Sequence, residues 1–231
     1  MPDRGEEASV KLTKFIDERI LETPTIAIKS VINETVNMGE VALNSLTCAM
    51  DGYFEGQIEK VKKTFVYERD VNALETLITE FLVKLSSKDL LETDRRYIDG
   101  LFNNINDIER VGDHADNIAE LIVQMDDKNI AFSEGSKQAL LIMYNKTKET
   151  YQKALQVIDQ PNVDLIKDVI KIEEEMDILQ KKARHDHFER LNSNICSTEA
   201  GIYYLEIVNN LERVSDLSCN LVRMVADTVE I

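Results

Sequence analysis

The sequence predicts an all-α fold made of two tandem three-helix bundles related by internal duplication. Apolar residues recur three and four apart over long stretches, the signature of packed helices. Glycine and proline, which hairpins and short strands need as punctuation, number only 8 and 3 in 231 residues. The two halves can also be laid over one another in register, and an internal repeat of this kind constrains architecture more than local propensity does.

Residues 1–22 read as an N-terminal segment or linker, polar at its start and without the apolar stretch of a signal peptide. Thr23-Pro24 predicts a helix start, a capping hydroxyl followed by proline at the first helical position. The apolar set Ile28, Val31, Ile32, Met38 and Ala42 continues that helix to about Met50. Asp51-Gly52 with Gly56 marks a turn, and a second helix is predicted from Gln57 to Leu85, ending at Ser86-Ser87. The third, Thr93 to Met125, shows the clearest period: Ile98, Leu101, Ile105, Ile108, Gly112, Ala115, Ala119 and Ile122 form a coiled-coil-like seam. These three helices make a first bundle over 23–127. A short link leads to Ser133 as a candidate cap for a fourth helix reaching Ile158; Pro161 interrupts, a fifth runs to Leu191 and a sixth from Thr198 to Val229, giving a second bundle over 128–231.

The repeat is explicit. Met38 to Leu74 overlies Met143 to Leu179 at an offset of 105, so Glu68 falls on Glu173 and Asn72 on Asp177. At an offset of 103, the stretch Ile105 to Ile118 overlies Val208 to Leu221 with six of fourteen positions identical. Gly112 and Ala115 fall on Ser215 and Ser218, small residues where two backbones must approach closely.

The seam also locates a candidate site. With Ile105 at a and Ile108 at d, Glu109 is an e residue and Asp113, four residues on, shares its face. In the second helix Val71, Leu74, Ile78, Phe81 and Leu85 place Glu68 at e as well, with Asn72 one turn away. In an antiparallel pair the two e edges adjoin, so Glu68, Asn72, Glu109 and Asp113 are expected to converge, joined by Asp116. The second half repeats the arrangement with Glu173, Asp177, Glu212 and Asp216. Converging carboxylates repel unless a cation lies between them, and hard or borderline ions suit such donors: iron, magnesium, manganese, calcium or zinc. Arg110 and Arg213 offer a competing neutralisation. The plainer reading is an ordinary solvated stripe, since e and b positions of a bundle normally carry charge; the recurrence of one register in both halves argues against it.

A formal charge of −16, with acids and bases interleaved, disfavours nucleic acid as a partner. Three scattered cysteines without CxxC spacing indicate neither a disulfide framework nor a cysteine-held zinc, and a reducing, cytoplasmic setting is expected. No apolar run approaches the ~20 residues needed to span a bilayer. His185 and His187, two apart on a helix, point in different directions and are expected at the solvated surface; His114, opposite Leu217 in the repeat, is expected to pack and not to ligate. Glu-x-x-His pairs, Gly-rich phosphate loops and GxSxG elbows are all missing, so no enzymatic activity is expected.

The segments Ile108-Glu-Arg-Val-Gly-Asp-His-Ala-Asp-Asn-Ile118 and Leu211-Glu-Arg-Val-Ser-Asp-Leu-Ser-Cys-Asn-Leu221 closely resemble the repeated signature of the PhoU family. That resemblance implies two three-helix bundles with surface E(D)xxxD motifs, in some members holding multinuclear iron or other metal clusters, and a role in control of phosphate uptake and signalling. Carried over, the motifs are Glu109/Asp113, Glu212/Asp216 and Glu173/Asp177; Glu68/Asn72 departs by an amide, and Cys219 stands where the first half has Asp116. Phe15 to Ile28 is similar to the junction before the cytosolic PhoU-like domain of bacterial sodium/phosphate cotransporter homologues. The partners so implied are phosphate transporters, phosphate-signalling proteins or further copies of the chain. The alternative is a metal-free helical adaptor whose acidic face meets a basic partner; a hydrolase using metal-bound water ranks last, because exposed flanks exclude little water.

Overall fold

A computed structural model describes residues 12–229, with helices and no strand among them. After a short 3-10 turn, Glu18–Glu22, come α1 (Pro24–Glu55), α2 (Ile58–Val61), α3 (Thr64–Ser86), α4 (Glu92–Asp127), α5 (Glu134–Asp159), α6 (Val163–Asn192) and α7 (Thr198–Val229). Helices α1, α3 and α4 pack on one another as one bundle, and α5, α6 and α7 as the other.

Local chemistry explains most boundaries. Pro24 opens α1, but the Thr23 hydroxyl does not cap it; the Thr23 carbonyl instead accepts from the backbone of Ile26 and Ala27. Gly56, at φ 66°, ends α1 in the left-handed conformation that glycine adopts without Cβ strain. The expected second helix is split, because Lys62 and Lys63 form a turn between α2 and α3. Ser133 caps α5 by accepting from the Ser136 N–H at 3.3 Å, and Asn162 caps α6 through bonds from Asp164 and Leu165.

The bundles share one core. Helix α4 packs along α7 and α1 along α5. Both pairs are antiparallel: Asn103 and His114 of α4 meet Met224 and Asn210 of α7, while Lys29 and Asp51 of α1 meet Asp159 and Tyr144 of α5. Close approach depends on small residues. A Cβ at Gly39 would stand 2.3 Å from the Leu155 side chain, and one at Gly112 would stand 3.2 Å from Val71. Ala115 is buried on α4 and Ser215 and Ser218 on α7, while Met38 of α1 and Met143 of α5 are buried at equivalent core positions. Phe132, in the link between the bundles, is buried against Tyr53 of the first half and Tyr204 of the second. Burying these aromatic rings brings of order 2–3 kcal/mol each, so the link is part of the core.

The two histidines of α6 part company. His185 is exposed as expected; His187 is buried, its ring 5.2 Å from that of Tyr204 and pressed on Gly201. The expectation of a solvated pair fails there because Gly201, in the first turn of α7, leaves room for the ring.

Candidate functional site

The register of α3 against α4, and of α6 against α7, sets the acidic residues along matched helix edges. In the second half Glu173, Asp177 and Asp216 each present a carboxylate oxygen, and the three atoms lie within 4.8 Å of one another. Ligands about 2.3–2.6 Å from a shared cation stand up to about 5 Å apart, so the donor set fits one hard cation. Glu212 sits beside it: burial raises its pKa most, then Asp216, with Asp177 and Glu173 adding in the same direction. Burial likewise raises Glu173, reinforced by Asp177 and Asp216, and raises Asp216 against the pull of Arg213. All four carboxylates are half-buried.

The first half places Glu68, Asn72, Glu109, Asp113 and Asp116 in the same register, more loosely. Burial raises Glu109, with Asp113, Glu75 and Glu68 contributing, which sets α3 and α4 acids face to face. Asp116 is pushed up to about 6, first by burial and then by Glu68, Glu120 and Asp113. Asn72 donates its amide to Glu68, as only the non-acidic member can. Among the described residues no three acids of this half meet as closely as the second-half trio. Glu75 and Glu120 join this edge in addition to the residues expected there. Glu75 lies one heptad beyond Glu68 on the same edge, so its signal was there to read.

The competing arginines differ between halves. Arg213 binds Asp216 at 3.2 Å and lies 3.8 Å from Glu212, within the cluster. Arg110 turns away to Asp107 at 3.5 Å. Their backward partners explain this, since the counterpart of Asp107 is Asn210, whose amide carries no charge and whose oxygen is engaged by His114 at 2.8 Å. His114 thus joins α4 to α7. Cys219, opposite Asp116 in the repeat, is buried, and its thiol is pushed up chiefly by burial. Lys181 adds a looser pair with Asp177 at 3.7 Å.

The PhoU domain family model matches residues 35–122 and again 140–225. The chain belongs to the PhoU family. A PhoU homologue of Thermotoga maritima, by name an accessory protein of a phosphate-specific transport system, is 32% identical over 54% of this chain and 53% of its own length. The protein YjbB of Escherichia coli, named for inorganic phosphate export, is 23% identical over 90% of this chain; the match spans only 38% of that protein. Two crystal structures share the PhoU fold: PhoU from Pseudomonas aeruginosa, with TM-score 0.83, 18% identity and coverage of 89% of this chain and 98% of that one, and PhoU from Streptococcus pneumoniae, with TM-score 0.81 and 16% identity, covering 90% and 97%. No helix among the described residues is long and apolar enough to cross a membrane.

Proposed function

We propose that this PhoU chain is a regulatory, non-enzymatic protein or domain that controls phosphate transport through protein contacts on the cytosolic side of a membrane, with a carboxylate-held cation as a regulatory or structural element. The phosphate-transport names of its relatives support the first part. The observation that carries the second is the meeting of Glu173, Asp177 and Asp216, half-buried and with pKa values raised at Glu173 and Asp216, at the same register as the acids of the first half. Glu173, Asp177, Glu212 and Asp216 would hold one ion; Glu68, Glu109, Asp113 and Asp116, with the Asn72 amide, would hold another more weakly. A bound cation supplies positive charge that relieves repulsion between the two helices of each edge.

A second reading, a metal-free adaptor, is favoured by Arg213, whose guanidinium already neutralises part of the second cluster. Metal analysis of protein purified without chelator separates the two. Bound iron, manganese, magnesium, calcium or zinc that is lost from the second cluster in Asp177→Asn/Asp216→Asn, and from the first in Glu109→Gln/Asp113→Asn, is the expected result. A chain that stays metal-free across these ions, in the native and substituted forms alike, leaves only the adaptor.

A further inference from the structure

Across the first bundle, residues 12–17 lie as a strap over the groove between α1 and α3. The fully buried carboxylate of Glu34 accepts backbone N–H bonds from Lys14, Phe15 and Ile16 at 2.8, 2.6 and 3.3 Å, and the Asn37 amide donates to it at 2.8 Å. Leu12 and Ile16, four residues apart, pack on the core, and beyond them Glu18 and Glu22 pair with Lys84 of α3 and with Lys88 just past its C-terminus. A cleft of about 250 Å³ remains between the strap and Leu77, Phe81 and Lys84.

The second bundle carries the equivalent groove, between α5 and α6, with none of the described residues laid across it. At the offset of 105, Glu34 becomes Ala139, Asn37 becomes Ile142 and Leu77 becomes Lys182. The groove is a cavity of about 190 Å³ floored by Ala139, Met143, Leu179 and Ala183. Ile142 at its lip is 55% exposed. The polar latch of the first half is thus replaced by apolar surface. Beside it, in a chain of charge −16, α6 presents the exposed cations Lys181, Lys182 and Arg184, with Asp186 as the one acid lining the cavity. Lys182 makes no ion pair among the described residues.

We propose that the α5/α6 groove is a docking site for a short segment of a partner protein, carrying apolar side chains about four residues apart and at least one carboxylate. The strap shows what covers the matching groove of the first bundle: two apolar anchors followed by acids that reach Lys84 of α3 and Lys88 just beyond it. In the second groove the positions of Lys84 and Lys88 hold Glu189 and Ser193, so the apolar floor takes the anchors and Lys182, standing where the first half has Leu77, takes the acid.

The test uses the whole chain and a fluorophore-labelled peptide of residues 10–22 as the probe, followed by anisotropy and by amide chemical-shift mapping. Expected are saturable binding, shifts confined to the α5/α6 groove, affinity about tenfold lower in Ile142→Asp and a weaker, salt-dependent loss in Lys182→Glu. Ile142 is exposed, so its variant keeps the native thermal transition, checked by circular dichroism. No saturable binding, affinity unchanged by Ile142→Asp, or shifts on α1 and α3 from exchange with the chain's own strap would overturn the proposal. So would self-association of the chain abolished by Ile142→Asp, which would make a second copy the occupant.

Discussion

Arg213 of α7 reaches forward one turn to Asp216, at 3.2 Å, and so occupies the acidic edge that a cation would need. Its counterpart Arg110 does not, because Asp107 draws it backward. Arg213→Gln is therefore expected to strengthen Mn²⁺ binding at the second cluster, by about three- to tenfold for the loss of one partly screened like charge. Isothermal titration of Arg213→Gln against Arg110→Gln checks this. Equal effects of the two substitutions would remove the asymmetry.

The raised pKa of Asp116 makes stability depend on pH. The unfolded carboxyl titrates near 3.8 and the folded one near 6, so between those values the folded chain keeps a proton that the unfolded chain has released. Stability consequently falls as pH rises through that window. Glu109, Glu173, Glu212 and Asp216, each raised chiefly by burial, act in the same direction. In metal-free protein Asp116→Asn is expected to be more stable at neutral pH by about 1 kcal/mol, allowing for solvent screening, and to flatten this part of the profile. Urea unfolding in chelator at several pH values between 4 and 7 gives the comparison.

At the other side of the first bundle, Glu34 holds three consecutive N–H groups of the strap. Glu34→Ala leaves those donors and the Asn37 amide without their acceptor, so a loss of about 2–4 kcal/mol is expected; Glu34→Gln, which still accepts but carries no charge, should lose about 1–2 kcal/mol. Limited proteolysis should cleave the alanine variant first within residues 12–17. A strap as resistant as the native one would show that the Leu12 and Ile16 contacts suffice alone.

The strap also shows where sequence reading stops. The α4 seam and the overlay of the halves at an offset of 103 make the two-bundle fold legible, because burial imposes a period and duplication repeats it. The acidic register is legible for the same reason, since e positions follow once a and d are known. Glu34 is not: it is one acid in an apolar helix face, and its role depends on a segment nineteen residues earlier folding back onto it. The diverging arginines needed side-chain geometry too, although Asp107 and Asn210 differ visibly in sequence. The burial of His187 is not legible in its own helix because it depends on Gly201 in another.

Gly39 joins the halves at the α1/α5 contact, and its replacement separates two opposing effects. A Cβ there would lie 2.3 Å from Leu155 Cδ2, with Cδ1 and Cγ at 3.2 and 3.3 Å, so the leucine must leave its place in the core. Overpacking of this kind costs about 1–3 kcal/mol, while removing a mid-helix glycine returns about 1 kcal/mol of helix propensity. Gly39→Ala is therefore expected to destabilise by up to about 2 kcal/mol. Gly135, in the first turn of α5, is the control: the nearest atoms to its added Cβ are 3.8 Å away, so Gly135→Ala meets only ordinary contact and should be neutral or stabilising. In a Leu155→Ala background the Gly39→Ala step should cost less than in the native chain, because the room the new methyl needs is then vacant. Denaturation midpoints of the two single variants and the double mutant measure the coupling, and additivity within about 0.3 kcal/mol would show that α1 and α5 adjust without strain.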